Sequence, residues 1–302
     1  MKLCFVYSNR AEYAEIEPFY NVCKQENDVR LLDLSKKIKN IEQDKNLSKV
    51  YEKCYEFFKK EKFDFVIVLG DRRELPMASF AAFYQGIKIV HIAAGDQAES
   101  ITIFDQYIRP LISLLSTIQI CFSQKSKQNI EKVFSSIPYL DSNTYFTGNP
   151  VFKNSDLKKM KRPYKENYDV VLLHPQSLSS TETKKDVNSV KKLLKNKKTI
   201  FIKGNQDENS HIIENFYEEI NDNPNYEFVV SLKKQKYFSL IKYCDKFFTN
   251  SSSIDEINFL NKKCLRIIGK RNLNRNHDEF NNNAPELLLK ILKKNLKKRL
   301  KN

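Results

Sequence analysis

Acidic and imidazole side chains follow two apolar runs that are predicted to be neighbouring strands. Asp71 comes after the run Phe65–Leu69 and a glycine, and the segment His91–Asp96 closes the next run, Ile87–Ile92. Apolar residues at helical spacing, ended by Gly86, lie between the runs, so this stretch predicts a strand–helix–strand unit with parallel, buried strands. Ligands of open α/β sheets bind beyond the carboxyl ends of the strands. We therefore expect Asp71 and the His91–Asp96 segment to face one crevice.

The second half of the chain has a comparable pattern. His174 ends an apolar run beside a proline, and the serine run Ser251–Ser253 follows another. Turns of this kind, together with those at Ser8 and Gly70, offer backbone N–H groups that stabilise phosphate. Asp71 and the serine run can also be interpreted as plain helix caps. The chain has no G-x-G-x-x-G or Walker loop, and its four histidines lack metal-ligand spacing, so no dinucleotide, triphosphate or metal site is predicted.

The length of the chain and the alternation of its segments predict two domains. A chain of 302 residues can bury two cores. Strand-like and helix-like segments alternate in both halves, and a linker rich in proline, asparagine and lysine, Asn149–Lys165, separates them. We predict an α/β protein with two Rossmann-like, doubly wound parallel-sheet domains facing a cleft, residues 1–155 and 156–302. The amphipathic segment Pro285–Leu300 predicts a terminal helix that could pack back on the first domain.

Composition narrows the class of ligand. The net charge of +15 is compatible with nucleic acid, anionic lipid or a small acidic ligand. Lysine-covered, solvated surfaces account for the charge, so we predict no nucleic-acid partner and favour an anionic ligand such as a nucleoside diphosphate. No apolar run approaches the roughly 20 residues that cross a bilayer, and the first run is too short for a signal peptide. We therefore predict no membrane partner. The six cysteines form no C-x-x-C pair, which fits a reducing cytoplasm.

Several segments, taken in order, resemble motifs of the UDP-N-acetylglucosamine 2-epimerase family, most closely its hydrolysing branch. Individually each match is weak, but the ordered set at near-expected spacing spans almost the whole chain. The matching segments are Ser8–Tyr13, Gly70–Glu74, His91–Asp96, Asp105–Arg109, Thr147–Pro150, His174–Pro175, Asn205–Asp207, Asn250–Ser253 followed by Glu256, and Ile268–Arg271.

The resemblance implies a glycosyltransferase-B type fold that binds UDP-N-acetylglucosamine, or a close relative, between its domains. The sugar nucleotide would be the substrate, so no cofactor is expected, and a dimer or tetramer is implied. By analogy Arg10 would contact the diphosphate, Ser251 and Ser252 would hold it at a helix start, and Glu256 would accept hydrogen bonds from the ribose. The full implied nucleotide-binding set is Arg10, Asn205, Ser251, Ser252, Glu256 and Arg271, and the implied catalytic set is Asp71, Asp105, His174 and Arg109.

One departure from the family pattern concerns a catalytic carboxylate. The glutamate of the family's H-I-E-G-G motif falls on Ala93, and alanine can neither accept nor donate a proton. A carboxylate in the segment Asp96–Glu99 could replace it, and Glu99 is therefore added to the candidate catalytic residues.

The function predicted from the resemblance is a UDP-N-acetylglucosamine 2-epimerase, hydrolysing in preference to non-hydrolysing, for surface polysaccharide or sialic-acid-like sugar synthesis. The reaction would pass through 2-acetamidoglucal and release the 2-epimer and UDP. Three alternatives remain: a glycosyltransferase of the same architecture, a UDP-sugar binder without catalysis, which Ala93 favours, and a nucleic-acid binder driven by charge, which should lose affinity steeply with salt.

Overall fold

The structure, a computed structural model, describes residues 1–39, 41, 46–97, 102–138, 143–150, 158–204, 207–230, 232–272 and 277–297. The chain forms two compact units: unit 1 contains Met1–Gln97, Tyr107–Lys153 and Asn276–Asn302, and unit 2 contains Ala98–Gln106 and Asn154–Arg275. This division departs from a single cut at residue 155 in two places, because residues 98–106 belong to unit 2 and residues 276–302 to unit 1.

Unit 1 is built on a parallel sheet of six strands within the described residues, in the order β2-β1-β3-β4-β5-β6. Its elements are β1 Lys2–Tyr7, α1 Arg10–Cys23, β2 Asp28–Asp33, α2 Leu34–Lys37, α3 Leu47–Glu61, β3 Phe65–Leu69, α4 Leu75–Phe83, β4 Lys88–Ile92, α5 Asp105–Leu115 (whose first two residues belong to unit 2), β5 Ile118–Cys121, α6 Gln124–Ser135, β6 Thr144–Phe146 and, near the end of the chain, a helix Ala284–Lys297.

Helices cover both faces of this sheet, so its central strands are buried on both sides. Every residue of β3 is buried: Phe65 and Ile67 lie in the apolar cluster on one face, and Val66 and Val68 lie in the cluster on the other. Such strands appear in a sequence as continuous apolar runs, which is why β3 was readable from the sequence. The helix Ala284–Lys297 packs against α1 through its buried leucines, and this packing assigns it to unit 1.

Unit 2 is built on a second parallel sheet, of five strands among the described residues, in the order β11-β10-β7-β8-β9. Its elements are β7 Asp169–Leu172, α7 Ser180–Leu193, β8 Thr199–Ile202, α8 Ser210–Glu219, β9 Tyr226–Val229, α9 Lys234–Tyr243, β10 Lys246–Thr249, α10 Ile254–Asn261, a 3-10 turn Lys262–Cys264 and β11 Leu265–Ile267, so that the helix Ala284–Lys297 of unit 1 is α11. The predicted α/β class with two doubly wound parallel sheets is confirmed.

Each sheet has one place where the strand order reverses. In unit 1, β1 lies between β2 and β3, and in unit 2, β10 and β7 are neighbours although they are far apart in sequence. Loops that leave adjacent strands in opposite directions open a crevice at such switch points, where α/β proteins bind ligands. The switch points therefore locate the candidate functional residues in each unit. In the described part of the chain, no helix is long and apolar enough to cross a membrane.

Candidate active site

The switch point of unit 1 brings together the loops after β1 and β3. Asn9 caps α1, because its side chain accepts a hydrogen bond from the backbone N–H of Glu12 at 3.0 Å. Gly70 has φ +79°, a left-handed conformation that suits glycine, and its N–H donates to the Ile92 carbonyl at 2.9 Å. This turn carries Asp71 out of the strand at the carboxyl edge of the sheet.

Asp71 does not cap the following helix but pairs with a buried arginine. The residue at the start of α4 is Glu74, which makes no side-chain capping bond. Asp71 Oδ2 instead pairs with Nη2 of Arg109, and Asp96 Oδ2 lies 3.6 Å from the same nitrogen. The other guanidinium nitrogen, Nη1, donates to the backbone carbonyl of Ala93. The guanidinium thus holds two carboxylates and a carbonyl at the ends of β3 and β4, an arrangement suited to proton transfer beside a stabilising positive charge.

Ala93 contributes its backbone to this cluster. It has φ +60°, uncommon for a residue with a Cβ, and its carbonyl rather than its side chain meets Arg109. Gly95 follows with φ +77°, and a Cβ there would lie 2.0 Å from the Ser126 carbonyl oxygen, so only glycine fits against α6. The tight turn from Ala93 to Gly95 directs Asp96 towards Arg109. A carboxylate is therefore present near the missing glutamate, three residues further along the chain.

His91 is a buried structural residue beneath this cluster. Its Nδ1 lies 2.8 Å from Ser113 Oγ and its Nε2 lies 2.7 Å from the Gly70 carbonyl oxygen. Because that carbonyl can only accept, Nε2 carries the proton and Nδ1 accepts from the serine hydroxyl. Burial lowers the pKa of His91 from 6.5 to about 4. A neutral, doubly hydrogen-bonded imidazole fixes the turn that carries Asp71.

A buried pair of glutamates at the same switch point was not singled out from the sequence. Glu12 Oε2 accepts from the backbone N–H of Ser8 at 2.6 Å and from its hydroxyl at 2.7 Å. Glu74 is fully buried and pairs through Oε1 with Arg72 Nε at 3.2 Å. Burial, and secondly the negative charge of Glu74, raise the pKa of Glu12 from 4.5 to about 8. Both glutamates lie inside segments that resemble the family motifs. Their position in these segments is the feature of the sequence that could have identified them.

The switch point of unit 2 joins the loop after β7 to the loop after β10. Asn250 Oδ1 accepts from the backbone N–H of His174 at 2.8 Å, and Asn250 Nδ2 donates to the His174 carbonyl at 2.8 Å. This two-way amide pair holds the two loops in register. His174 is half-buried at the carboxyl edge of the sheet.

The serine run lies immediately before α10, as the phosphate-binding interpretation requires, and Ser253 at the helix start makes no side-chain capping bond. The Ser251 N–H donates to Thr249 Oγ1 at 2.9 Å, and the Ser253 N–H donates to Ser251 Oγ at 3.3 Å. Ser251 is buried and Ser252 is exposed. Glu256 follows in the first turn of α10.

Of the other candidates, Asp105 and Arg271 are brought together, both in unit 2. Arg271 Nη2 lies 3.6 Å from Asp105 Oδ2, and Arg271 Nη1 donates to the Pro175 carbonyl at 2.7 Å. Asp105 begins α5 four residues before Arg109, and Arg10, which is exposed, begins α1. The remaining predicted residues, Glu99 and Asn205, lie outside the described residues. Among the side chains that the structure describes, no cluster of three or more His, Cys, Asp or Glu could hold a metal ion.

Asp186 is a third residue that was not singled out from the sequence. It lies on α7 and is 4% exposed, and it accepts hydrogen bonds from the side chains of Asn250 and Gln176. Burial raises its pKa. The sequence does carry a signal, because Thr183, Asp186, Val187 and Val190 have the spacing of one buried helix face.

Comparison with known proteins identifies a family and several similar proteins. A sequence model of the family described as UDP-N-acetylglucosamine 2-epimerase matches residues 18–286. The chain is 28% identical over 237 residues to the GDP/UDP-N,N'-diacetylbacillosamine 2-epimerase (hydrolyzing) of Campylobacter jejuni, covering 74% of this chain and 61% of that protein. It is 26% identical over 236 residues to the UDP-N,N'-diacetylbacillosamine 2-epimerase (hydrolyzing) of Legionella pneumophila, with the same two coverages of 74% and 61%. The chain thus spans about three-fifths of the length of these curated relatives.

Solved structures share the fold over nearly the whole chain. The UDP-GlcNAc 2-epimerase of Methanocaldococcus jannaschii in complex with UDP-GlcNAc and UDP matches with a TM-score of 0.76 at 15% identity, covering 97% of this chain and 99% of that one. The UDP-GlcNAc 2-epimerase of Neisseria meningitidis bound to UDP-GlcNAc also gives 0.76, at 16% identity, covering 97% of this chain and 100% of that one. At these identities the likeness establishes the fold, the glycosyltransferase-B type. Because the family model covers most of the chain, this protein belongs to the UDP-N-acetylglucosamine 2-epimerase family.

Proposed function

We propose that this protein is a hydrolysing UDP-sugar 2-epimerase. It would convert a UDP-linked 2-acetamido sugar into the free 2-epimer and UDP, in the cytoplasm, for surface polysaccharide or sialic-acid-like sugar synthesis. The observation that carries the proposal is the Asp71–Arg109–Asp96 cluster at the carboxyl ends of β3 and β4, in a chain of this family. The two hydrolysing relatives support the hydrolysing branch, and their names add UDP-N,N'-diacetylbacillosamine to UDP-N-acetylglucosamine as a candidate donor.

The chemistry assigned to unit 1 is proton transfer at C2 of the sugar. A carboxylate, Asp71 in our assignment, accepts the C2 proton while the C1–O bond breaks and its electron pair leaves with UDP, which gives the 2-acetamidoglucal. Water then adds across the double bond: a proton returns to C2 on the opposite face and hydroxide bonds to C1. Arg109 stabilises the negative charge that develops, and it keeps the Asp71 carboxylate oriented. Asp105 and His174, which lie in unit 2, are the other acid–base groups of this assignment.

The chemistry assigned to unit 2 is nucleotide binding. Ser251 and Ser252, at the start of α10, would bind phosphate oxygens, and Glu256 would accept hydrogen bonds from the ribose hydroxyls. Arg271, held by the Pro175 carbonyl at 2.7 Å, adds positive charge beside the His174 loop. In unit 1, Arg10 begins α1 and is assigned to the diphosphate. The assembly proposed for the protein is a homo-oligomer, which light scattering would test.

Ala93 favours a second candidate, a UDP-sugar binder without turnover. Residue 93 offers Arg109 only its backbone carbonyl, so the family's usual acid–base group is missing at this position. Such a protein would show a rise in melting temperature with UDP and would release no UDP from a sugar nucleotide.

The deciding experiment is incubation with each donor in deuterated water, followed by NMR of the sugar C2 position and of the released UDP. Hydrolysing epimerisation predicts deuterium at C2 of the product together with free UDP. Asp71→Asn should abolish both signals. Asp64→Asn is the matched control, because Asp64 lies just before the other end of β3 and accepts from the Lys2 N–H at 2.8 Å, so it should retain turnover. Stabilisation by UDP with no exchange for either donor would instead establish the binder.

A further inference from the structure

A single buried carboxylate joins three loops of unit 2. Asp186 Oδ2 accepts from Asn250 Nδ2 at 2.9 Å and from Gln176 Nε2 at 3.1 Å, and all three side chains are buried. Gln176 belongs to the loop after β7 and Asn250 to the loop after β10, so one oxygen atom of α7 receives a hydrogen bond from each side of the switch point.

The same contacts extend to His174. Asn250 uses one hydrogen of its amide for Asp186 and the other for the His174 carbonyl, and its Oδ1 takes the His174 N–H. The amide plane of Asn250 is therefore fixed in both directions, and its orientation depends on the acceptor at Asp186. His174 is the only histidine of unit 2 in a strand-end loop at the switch point, among the residues the structure describes.

The third loop, after β11, is packed directly on Asp186. Gly269 has φ +63°, and a Cβ there would lie 2.0 Å from Asp186 Oδ1, so the backbone approaches this carboxylate more closely than any side-chain-bearing residue allows. Asn272, in the same loop, donates to the Asn250 carbonyl. The two oxygens of Asp186 therefore lie against the three loops that carry His174, the serine run and Arg271.

Stability alone does not explain why a carboxylate occupies this buried position. Burying an ionisable group is costly, and a well-packed apolar side chain at the same place often gives an equally stable or more stable protein. A fully hydrogen-bonded buried polar group does specify a single arrangement of the groups around it.

We propose that Asp186 is a positioning residue, which sets the orientation of His174 and of the Ser251–Ser252 turn by fixing Asn250. The expected effect of Asp186 on UDP binding and catalysis rests on the proposed function. The expected effect on the orientation of Asn250 and His174 follows from the contacts alone. Asp186 itself touches neither sugar nor nucleotide in this assignment. The side-chain amides of Asn250 and Gln176 require an oxygen at this position that accepts their hydrogen bonds, and they do not require its negative charge.

The first test compares UDP binding, by calorimetry, in three variants. Asp186→Ala removes the acceptor and should weaken UDP binding by about tenfold or more, the effect of losing a hydrogen bond to a charged group. Asp186→Asn retains an oxygen that can accept from both amides and should stay within about threefold of the natural protein, because both hydrogen bonds are kept and only become weaker with a neutral acceptor. Asp169→Ala is the matched control: Asp169 is 6% exposed, pairs with Lys197 at 2.9 Å, and lies at the opposite end of β7. It should leave UDP binding unchanged.

The second test does not require a ligand. The chain has four histidines, so the imidazole signals in a heteronuclear NMR spectrum can be assigned with His174→Gln. Asp186→Ala should shift the His174 signals, whereas Asp186→Asn and Asp169→Ala should not. If Asp186→Ala fails to fold, Asn250→Ala removes the same connection and should shift the His174 signals in the same way.

The outcomes separate the two levels of the proposal. Unmoved His174 signals in Asp186→Ala, or equal losses of UDP affinity in the alanine and asparagine variants, would overturn the positioning role. If the natural protein binds no UDP but the His174 signals move as expected, the proposed function fails and the positioning role stands.

Discussion

Replacing Glu12 by glutamine should make unit 1 more stable at neutral and alkaline pH. Glu12 is buried at the switch point of unit 1, its Oε2 bonded to Ser8 and its Oε1 without a hydrogen-bond partner in the described residues. Burial, and secondly the charge of the neighbouring Glu74, raise its pKa from 4.5 to about 8. The carboxyl is therefore protonated in the folded protein at pH values where it is ionised in the unfolded chain.

The magnitude follows from proton linkage. Between about pH 4.5 and about pH 8 the folded state binds one proton more than the unfolded state, so the free energy of unfolding falls by about 1.4 kcal/mol per pH unit. The contribution of this group is complete below pH 4.5 and is lost as the pH rises to about 8, a span of about 3.5 units or about 5 kcal/mol in all. Glutamine resembles the protonated carboxyl and does not titrate, so Glu12→Gln should gain about 3 kcal/mol over the natural protein at pH 7.

The assay is urea unfolding of both proteins across this pH range. Because the chain has no tryptophan, unfolding is followed by far-ultraviolet circular dichroism. The difference in unfolding free energy between the two proteins cancels the titration of all other groups. It should be near zero at pH 4.5 and should grow steadily towards pH 8. Glu17→Gln, on the exposed side of the same helix, is the matched control for the loss of one negative charge. A difference curve for Glu12→Gln that is flat over this range would refute the reasoning.

Three further predictions test other contacts. Arg109→Ala should destabilise unit 1 by about 3–5 kcal/mol, because it leaves Asp71 without its counter-ion. In a double-mutant cycle measured by urea unfolding, this cost should be smaller when Asp71→Asn is already present. An unchanged cost would contradict the pairing. Gly269→Ala should lower the free energy of unfolding of unit 2 by about 1–3 kcal/mol more than Gly86→Ala lowers that of unit 1. Both glycines have positive φ, but only a Cβ at residue 269 would meet a buried carboxylate. Equal losses of stability in urea titrations would argue against that close packing. The NMR signals of His91 should not titrate from about pH 5 to about pH 8, because its pKa is lowered to about 4, and the stability linked to it should be lost only as the pH falls from 6.5 towards 4; a midpoint near 6.5 would contradict its burial.

The elements of both sheets could be read from the sequence where their strands are buried on both faces. β3 begins and ends at the predicted residues, Phe65–Leu69, because a central parallel strand is a continuous apolar run. The next predicted strand, Ile87–Ile92, begins one residue later in the structure, at Lys88, and ends at the predicted residue. The positions of Asp71, His174 and the serine run at strand ends followed from the same pattern.

The pairing of side chains could not be read in this way. Arg109 and Asp71 are separated by 38 residues, and Asn250 and Asp186 by 64. No local spacing relates such pairs, because their meeting depends on which strands become neighbours in the sheet. The interpretation of Asp71 as a helix cap was physically sound but was overridden by Arg109, which reaches it from α5.

The order of apolar runs and turns in the amino-acid sequence determined that this protein has two doubly wound sheets, and it determined which loops lie at their carboxyl edges. Those features depend on short-range periodicity, which every strand and helix carries in its own residues. Only the tertiary structure decided that Arg109 pairs with Asp71 and Asp96, and that Asp186 accepts a hydrogen bond from Asn250. A buried polar group must find its partner wherever folding places one, and that partner is set by packing between elements that are distant in the chain.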